Sequence, residues 1–144
     1  MSTFTILDAF ATLRRELSLI LAAQLKSTDF GHKQMVILYR LIQSPTSMGE
    51  LATYCQSDPA ATTRTVAALE RSGFVKRVGD ANDNRRSIIE LTKKGKIKAA
   101  KANDIRREIG TRINQTLTAD ELVLMGELFN KIIKGLQDQK TQEE

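Results

Sequence analysis

The sequence predicts a mainly α chain with one small β-hairpin. Three observations carry this: apolar residues recur at helical spacing near both ends, two short capped helices lie between, and one pair of β-branched runs flanks a loop rich in Asn and Asp. The 144 residues suit a single domain, 1–144, large enough to bury a core without disulfides or a metal.

The first helix reads from Ile6 to Leu25, with Ile6, Phe10, Leu13, Leu17 and Ile20 on one face and Leu21 and Leu25 beside them. It stops at the break Ser27-Thr28-Asp29-Phe30-Gly31. A second runs from about Lys33 to Gln43 on Met35, Ile37, Leu38, Leu41 and Ile42, and Pro45 ends it because proline disfavours helical backbone in the residue before it. Ser47 and Glu50 form an S-x-x-E capping box for a helix of about two turns. Ser57 or Asp58 can cap the next helix, Pro59 fits its first turn, and Gly73 closes it. Phe74 to Val78 and Ser87 to Leu91 then alternate as the arms of a hairpin, the only strands expected. Thr92 caps a helix to about Ile113, and Thr118 with Glu121 caps a last one carrying Leu122, Met125, Phe129, Ile132 and Leu136 at a 3-4 spacing.

Two short helices joined by a tight polar turn form a helix-turn-helix candidate, and a hairpin directly after it is a wing. Charge agrees. Residues 57–101 hold eleven Lys/Arg against five acids, a net of +6 within a chain of +5, which is the footprint expected of a protein that meets a polyanion. On the second helix of the pair, Val66 and Leu69 should face inward with Thr62 and Thr65 beside them, leaving Pro59, Ala60, Thr63, Arg64 and Ala67 for double-stranded DNA. Arg64 can pair with guanine O6 and N7, and Thr63 can meet a thymine methyl or a phosphate. Ser57 and the helix N-terminus offer hydrogen bonds to phosphate. On the wing, Asn84, Arg85 and Arg86 suit the backbone or minor groove, and Asp83 can orient Arg85.

Asp83-Asn84-Arg85, then Leu91-Thr92 and Gly95, resemble the Asp-x-Arg and Leu-Thr-x-x-Gly wing pattern of the MarR-type winged helix-turn-helix transcription regulators. Glu50-Leu51-Ala52, Thr63-Arg64 and the run Leu69 to Arg77 add to the resemblance, and the order of elements, a helix before the motif and two long ones after it, carries it over nearly the whole chain. It implies a winged-helix lobe at 33–91, flanked by helical dimerisation regions at 1–30 and 92–140, and a homodimer acting more often as a repressor than as an activator. It also implies that Arg77 lies near DNA and that a small phenolic or anionic effector, of unknown identity, is bound between dimer helices and lobe; Arg15, His32, Tyr39 and Arg40 could line such a site. The apolar stripes support a dimer independently, through Ile6, Phe10, Leu13 and Leu17 at one end and Leu122, Met125, Phe129, Ile132 and Leu136 at the other. A two-fold dimer would set recognition helices about 34 Å apart and read a palindromic operator.

Catalysis is not expected. One histidine, His32, gives no triad and no metal cluster, the scattered glycines cradle no phosphate, and no cofactor is implied. Cys55 cannot form an internal disulfide and suits a packing role; with no secretory signal and no membrane-length apolar run, a cytoplasmic location is expected. Two other classes compete: a winged-helix module that assembles proteins without reading DNA, and a methyltransferase dimerisation unit, which needs a cofactor-binding domain downstream.

Overall fold

The computed structural model describes residues 5–143 apart from residues 27, 30, 80, 81 and 83–85. It contains two compact units, Met1–Arg107 and Glu108–Glu144. In chain order the elements are α1 (Ile6–Leu25), α2 (His32–Gln43), β1 (Thr46–Ser47), α3 (Met48–Cys55), α4 (Pro59–Arg71), β2 (Val75–Gly79), β3 (Ser87–Leu91), α5 (Lys93–Asn114), which crosses from the first unit into the second, and α6 (Ala119–Glu143).

Helix starts follow the side chains able to satisfy orphan N–H groups. Thr5 caps α1 by accepting from the Asp8 N–H. Both halves of the Ser47 box are made: Ser47 Oγ accepts from the Glu50 N–H at 3.3 Å, and Glu50 Oε2 accepts from the Ser47 N–H at 3.2 Å. Of the two candidates before α4, Asp58 is the cap, its Oδ1 accepting from the Ala61 N–H at 2.9 Å.

The hairpin is part of a three-stranded antiparallel sheet in the order β1-β3-β2. Its registers set Val75 opposite Leu91, Gly79 opposite Ser87 and Thr46 opposite Ile89. The expectation of only two strands is therefore corrected. A two-residue strand after Pro45 shows no alternation, so its pairing is set by Ile88 and Ile89 across the ladder. Beneath the sheet, Ile37 and Leu38 of α2, Leu51 of α3, Val66 and Leu69 of α4, Val75 and Ile89 form a closed core, joined by Leu25 of α1 and by Ala99 and Ala102 of α5.

One junction ties α4, the hairpin and α5 together. Gly73 (φ 73°) takes the left-handed conformation and ends α4, with the Gly73 N–H bonded to Glu70 O and the Phe74 N–H to Leu69 O, both at 2.9 Å. Thr92 donates its hydroxyl to Gly73 O at 2.6 Å, accepts from the Gly95 N–H at 2.9 Å, and sends its own N–H to Phe74 O at 3.0 Å. A Cβ on Gly95 would stand 1.7 Å from Phe74 O. Glycine is required there by close approach, since only a bare Cα lets α5 start against that carbonyl.

Lys98, a buried residue, extends the junction: its Nζ lies 2.6 Å from Asp29 Oδ2 in the α1–α2 connection and 4.7 Å from the centre of the Phe74 ring. The hydrogen bond from Lys98 and its charge hold the Asp29 carboxyl below the usual carboxylate range, with Lys101 adding to the effect.

In the second unit, Thr118 and Glu121 complete their box, Glu121 Oε2 accepting from the Thr118 N–H at 2.8 Å. That bond, with one from the Thr118 hydroxyl, lowers the Glu121 pKa. No described residue of α6 is buried; Met125 and Leu136 are exposed, as are Val123, Leu124, Leu128 and Ile133, while Leu122, Phe129 and Ile132 are half-buried. Within the first unit, α1 leaves Ile6, Leu7, Leu13 and Leu19 exposed and Phe10 and Leu17 half-buried.

Two outcomes are expected. Gly95→Ala should lower the unfolding free energy by about 1 to 3 kcal/mol in urea titration, because the backbone must move to admit the methyl group; an unchanged midpoint would show that the contact is not tight. Asp29 has its pKa depressed by folding, so its contribution is present above its unfolded value, about 3.9, and disappears as pH falls through the folded value. Wild type should therefore exceed Asp29→Asn in stability at pH 7 and converge with it in acid, whereas a gap constant with pH would remove the ion pair as its cause.

Candidate nucleic-acid interface

The turn between α3 and α4 is short because Gln56 takes a left-handed conformation (φ 48°), letting the Ser57 N–H reach Ala52 O at 3.3 Å. Asp58 then starts α4 at once. Along α4, Thr62, Val66 and Leu69 are buried and Thr65 half-buried, while Pro59, Ala60, Thr63 and Arg64 are exposed and Ala67 is half-buried. From Pro59 to Ala67 the outer side is thus small and flat apart from Arg64, a shape that permits close approach of a partner along about 13 Å of helix. Thr63 donates its hydroxyl to Pro59 O at 2.8 Å, which leaves its methyl and its oxygen lone pairs outward.

The α4 N-terminus offers less to a phosphate than helix starts in general. Pro59 has no N–H and the cap takes that of Ala61, so the Ala60 N–H is the one of the first three left by the cap. Ser57 is half-buried and donates its hydroxyl to Cys55 O at 3.4 Å. Asp58 adds a carboxylate, which opposes an anion at the same spot.

Two cations at the hairpin are engaged with carboxylates. Lys76 and Glu90, register partners on β2 and β3, meet at 2.8 Å, and Arg77 Nε lies 3.1 Å from Glu70 Oε2 on α4. The second pair braces the hairpin against α4, a link that the separation of seven residues between a helix and a strand does not reveal from sequence. With Lys98 also paired, three of the described basic residues in 57–101 are held in ion pairs. Asp83, Asn84 and Arg85 lie outside the described residues; Arg86, at the base of β3, places Nη2 3.5 Å from Ser47 Oγ.

The residues weighed for an effector have separate partners. Tyr39 bonds Arg106, Arg40 bonds Ser44, Arg15 meets Glu16, and His32 lines a small cleft with Cys55 and Thr62. Cys55 is half-buried and burial pushes its thiol up, away from the reactive thiolate. Among the described residues no group of three or more His, Cys, Asp or Glu can hold a metal, and no helix is long and apolar enough to cross a membrane.

An exposed second helix, a tight turn before it and a hairpin braced after it define a winged helix-turn-helix lobe. Residues 31–87 match the model of the MarR family. The HTH-type transcriptional regulator BilQ of Clostridioides difficile (strain CD3) is 35% identical over 49 residues, covering 34% of this chain and 33% of BilQ, so the match spans about a third of that relative. MepR of Staphylococcus aureus in its DNA-binding conformation superposes with a TM-score of 0.80 at 24% identity, covering 92% of this chain and 99% of that one. FabT of Streptococcus pneumoniae in complex with DNA gives 0.76 at 20% identity, over 92% and 96%. At these identities the solved structures show the fold. The winged-helix lobe is thus similar to the MarR family.

Both members of the Arg77–Glu70 pair are at least a third exposed, where such pairs contribute under about 1 kcal/mol. Glu70→Gln is accordingly expected to change unfolding free energy by less than about 1 kcal/mol; a loss of several kcal/mol would make the brace a structural necessity.

Proposed function

We propose that this chain is a sequence-specific DNA-binding transcription regulator of the cytoplasm, acting as a homodimeric repressor on a palindromic operator and released by a small-molecule effector. The observation that carries this reading is the exposed face Pro59, Ala60, Thr63 and Arg64 on a helix set between a capped turn and a basic hairpin, within a lobe of the MarR family. The major groove, about 12 Å wide, admits such a helix, and the small residues let the backbone approach base edges while Arg64 reaches them. The wing residues Asn84, Arg85 and Arg86 meet the flanking backbone or minor groove, with Asp83 orienting Arg85 and Arg77 close by. Ser57, Ala60 and Ala67 complete the contact surface.

Dimerisation is supported by apolar residues left uncovered on α1 and on α6, including Ile6, Leu13, Met125 and Leu136. Phe10, Leu17, Leu122, Phe129 and Ile132 complete the two stripes. The lobe at 33–91 then reads DNA, and the regions 1–30 and 92–140 hold two copies together. An effector acts by preferring one spacing of the two recognition helices, and it shifts operator affinity by that preference and no more.

On a bound duplex, Arg64→Ala should weaken affinity and relax base preference, while Arg85→Ala should cost about 1 to 3 kcal/mol more evenly across sequences. With about eight phosphate contacts, log affinity should fall against log salt with a slope near −7. Full affinity in both variants, with a flat salt response, would sink the DNA reading and favour a protein-assembly module.

A further inference from the structure

Arg40, on α2, lies outside the basic segment, yet the fold brings it to the same groove as Arg86. This groove, about 820 Å³ and open to solvent, is lined by Arg40, Ser47, Gly49, Thr53, Tyr54 and Arg86 among others. Through Met48, Gly49 and Thr53 it runs into a second cleft of about 380 Å³ that reaches Ser57, Pro59 and Thr63. One continuous track therefore leads from the exposed start of α4, across α3, to the two arginines. Its middle is bare: Gly49 and Thr53 are exposed, and a Cβ on Gly49 would meet nothing within 4 Å.

Both guanidiniums are oriented by neutral groups. Arg40 Nη1 donates to Ser44 Oγ at 3.0 Å, with the guanidinium carbon 5.9 Å from the centre of the Tyr54 ring, and Arg86 Nη2 is 3.5 Å from Ser47 Oγ. Among the described residues neither arginine forms an ion pair. The acid of the groove, Glu50, turns its carboxylate onto the Ser47 N–H as half of the capping box. Each guanidinium has five donors, so most remain for an incoming anion. An open track continuous with the face of α4 suits a row of backbone phosphates; a small molecule needs enclosure over most of its surface.

We infer that Arg40 and Arg86 seat phosphates of the duplex flanking the base pairs that α4 reads, extending the footprint across α3. The inference rests on the DNA-binding reading and is tested separately from it. Binding is measured by fluorescence anisotropy on a duplex selected by the wild type, once with long flanks and once trimmed to its half-sites, for wild type, Arg40→Gln, Arg86→Gln, the double variant and Arg86→Lys. Circular dichroism and thermal melting confirm that each variant is folded. The double variant should bind the long duplex about ten-fold more weakly, with a salt slope shallower by about two per protomer, while keeping base preference and losing little on the trimmed duplex; Arg86→Lys should restore the slope. Unchanged affinity and slope on the long duplex, with wild type binding well, would overturn the inference and leave the regulator intact. An equal loss on both duplexes with an unchanged slope would also overturn it, because the arginines would then act through the fold. If wild type binds no duplex, the regulator reading itself fails and the inference falls with it.

Discussion

The carbonyl of Phe74 is the point on which the winged-helix lobe depends. It accepts from the Thr92 N–H, lies 3.2 Å from the Thr92 hydroxyl, and faces the bare Cα of Gly95, so one backbone group joins the end of α4, both arms of the hairpin and the start of α5. Side-chain packing alone leaves a short helix some freedom to rotate. Backbone hydrogen bonds across a left-handed glycine do not, and they set the direction of the hairpin relative to α4 within narrow limits. Lys94 and Lys98 complete the arrangement by covering the Phe74 ring, each with its Nζ at 4.7 Å from the ring centre.

This junction divides the positive charge by role. Lys98, Lys76 and Arg77 are engaged by Asp29, Glu90 and Glu70, and each link holds one element against another. Arg64 on α4 is exposed and contributes to the outward field instead. Two of the three ion pairs lie within the segment 57–101 and are already counted in its net +6, so only the pairing of Lys98 with Asp29 from outside the segment lowers the charge it presents, while Arg40, also from outside it, lines the groove beside Arg86.

Much of this was legible in the residues. Ser47 with Glu50 and Thr118 with Glu121 are local boxes closed within four residues, so spacing alone predicts both. Thr92 and Gly95 are readable as a cap and a close approach, but the carbonyl they serve lies about twenty residues earlier, beyond any local pattern. Strand β1 was hidden for the same reason, since its two residues acquire strand character only from Ile88 and Ile89. Lys98 reads as one more lysine in a charged helix; the aromatic ring and the carboxylate that let it be buried come from two other parts of the chain. The exposed face of α4 followed from periodicity, whereas the brace from Glu70 to Arg77 and the placing of Arg40 and Arg86 along one groove depend on tertiary placement.

The most direct measurement is selection of bound duplexes from a random DNA pool by the purified full chain at low salt. A dimeric reader whose recognition helices lie about 34 Å apart should enrich a palindrome with half-sites centred about one helical turn apart. Recovery of unenriched sequence, or of a single half-site without its mirror partner, would contradict the proposed two-fold reading of DNA.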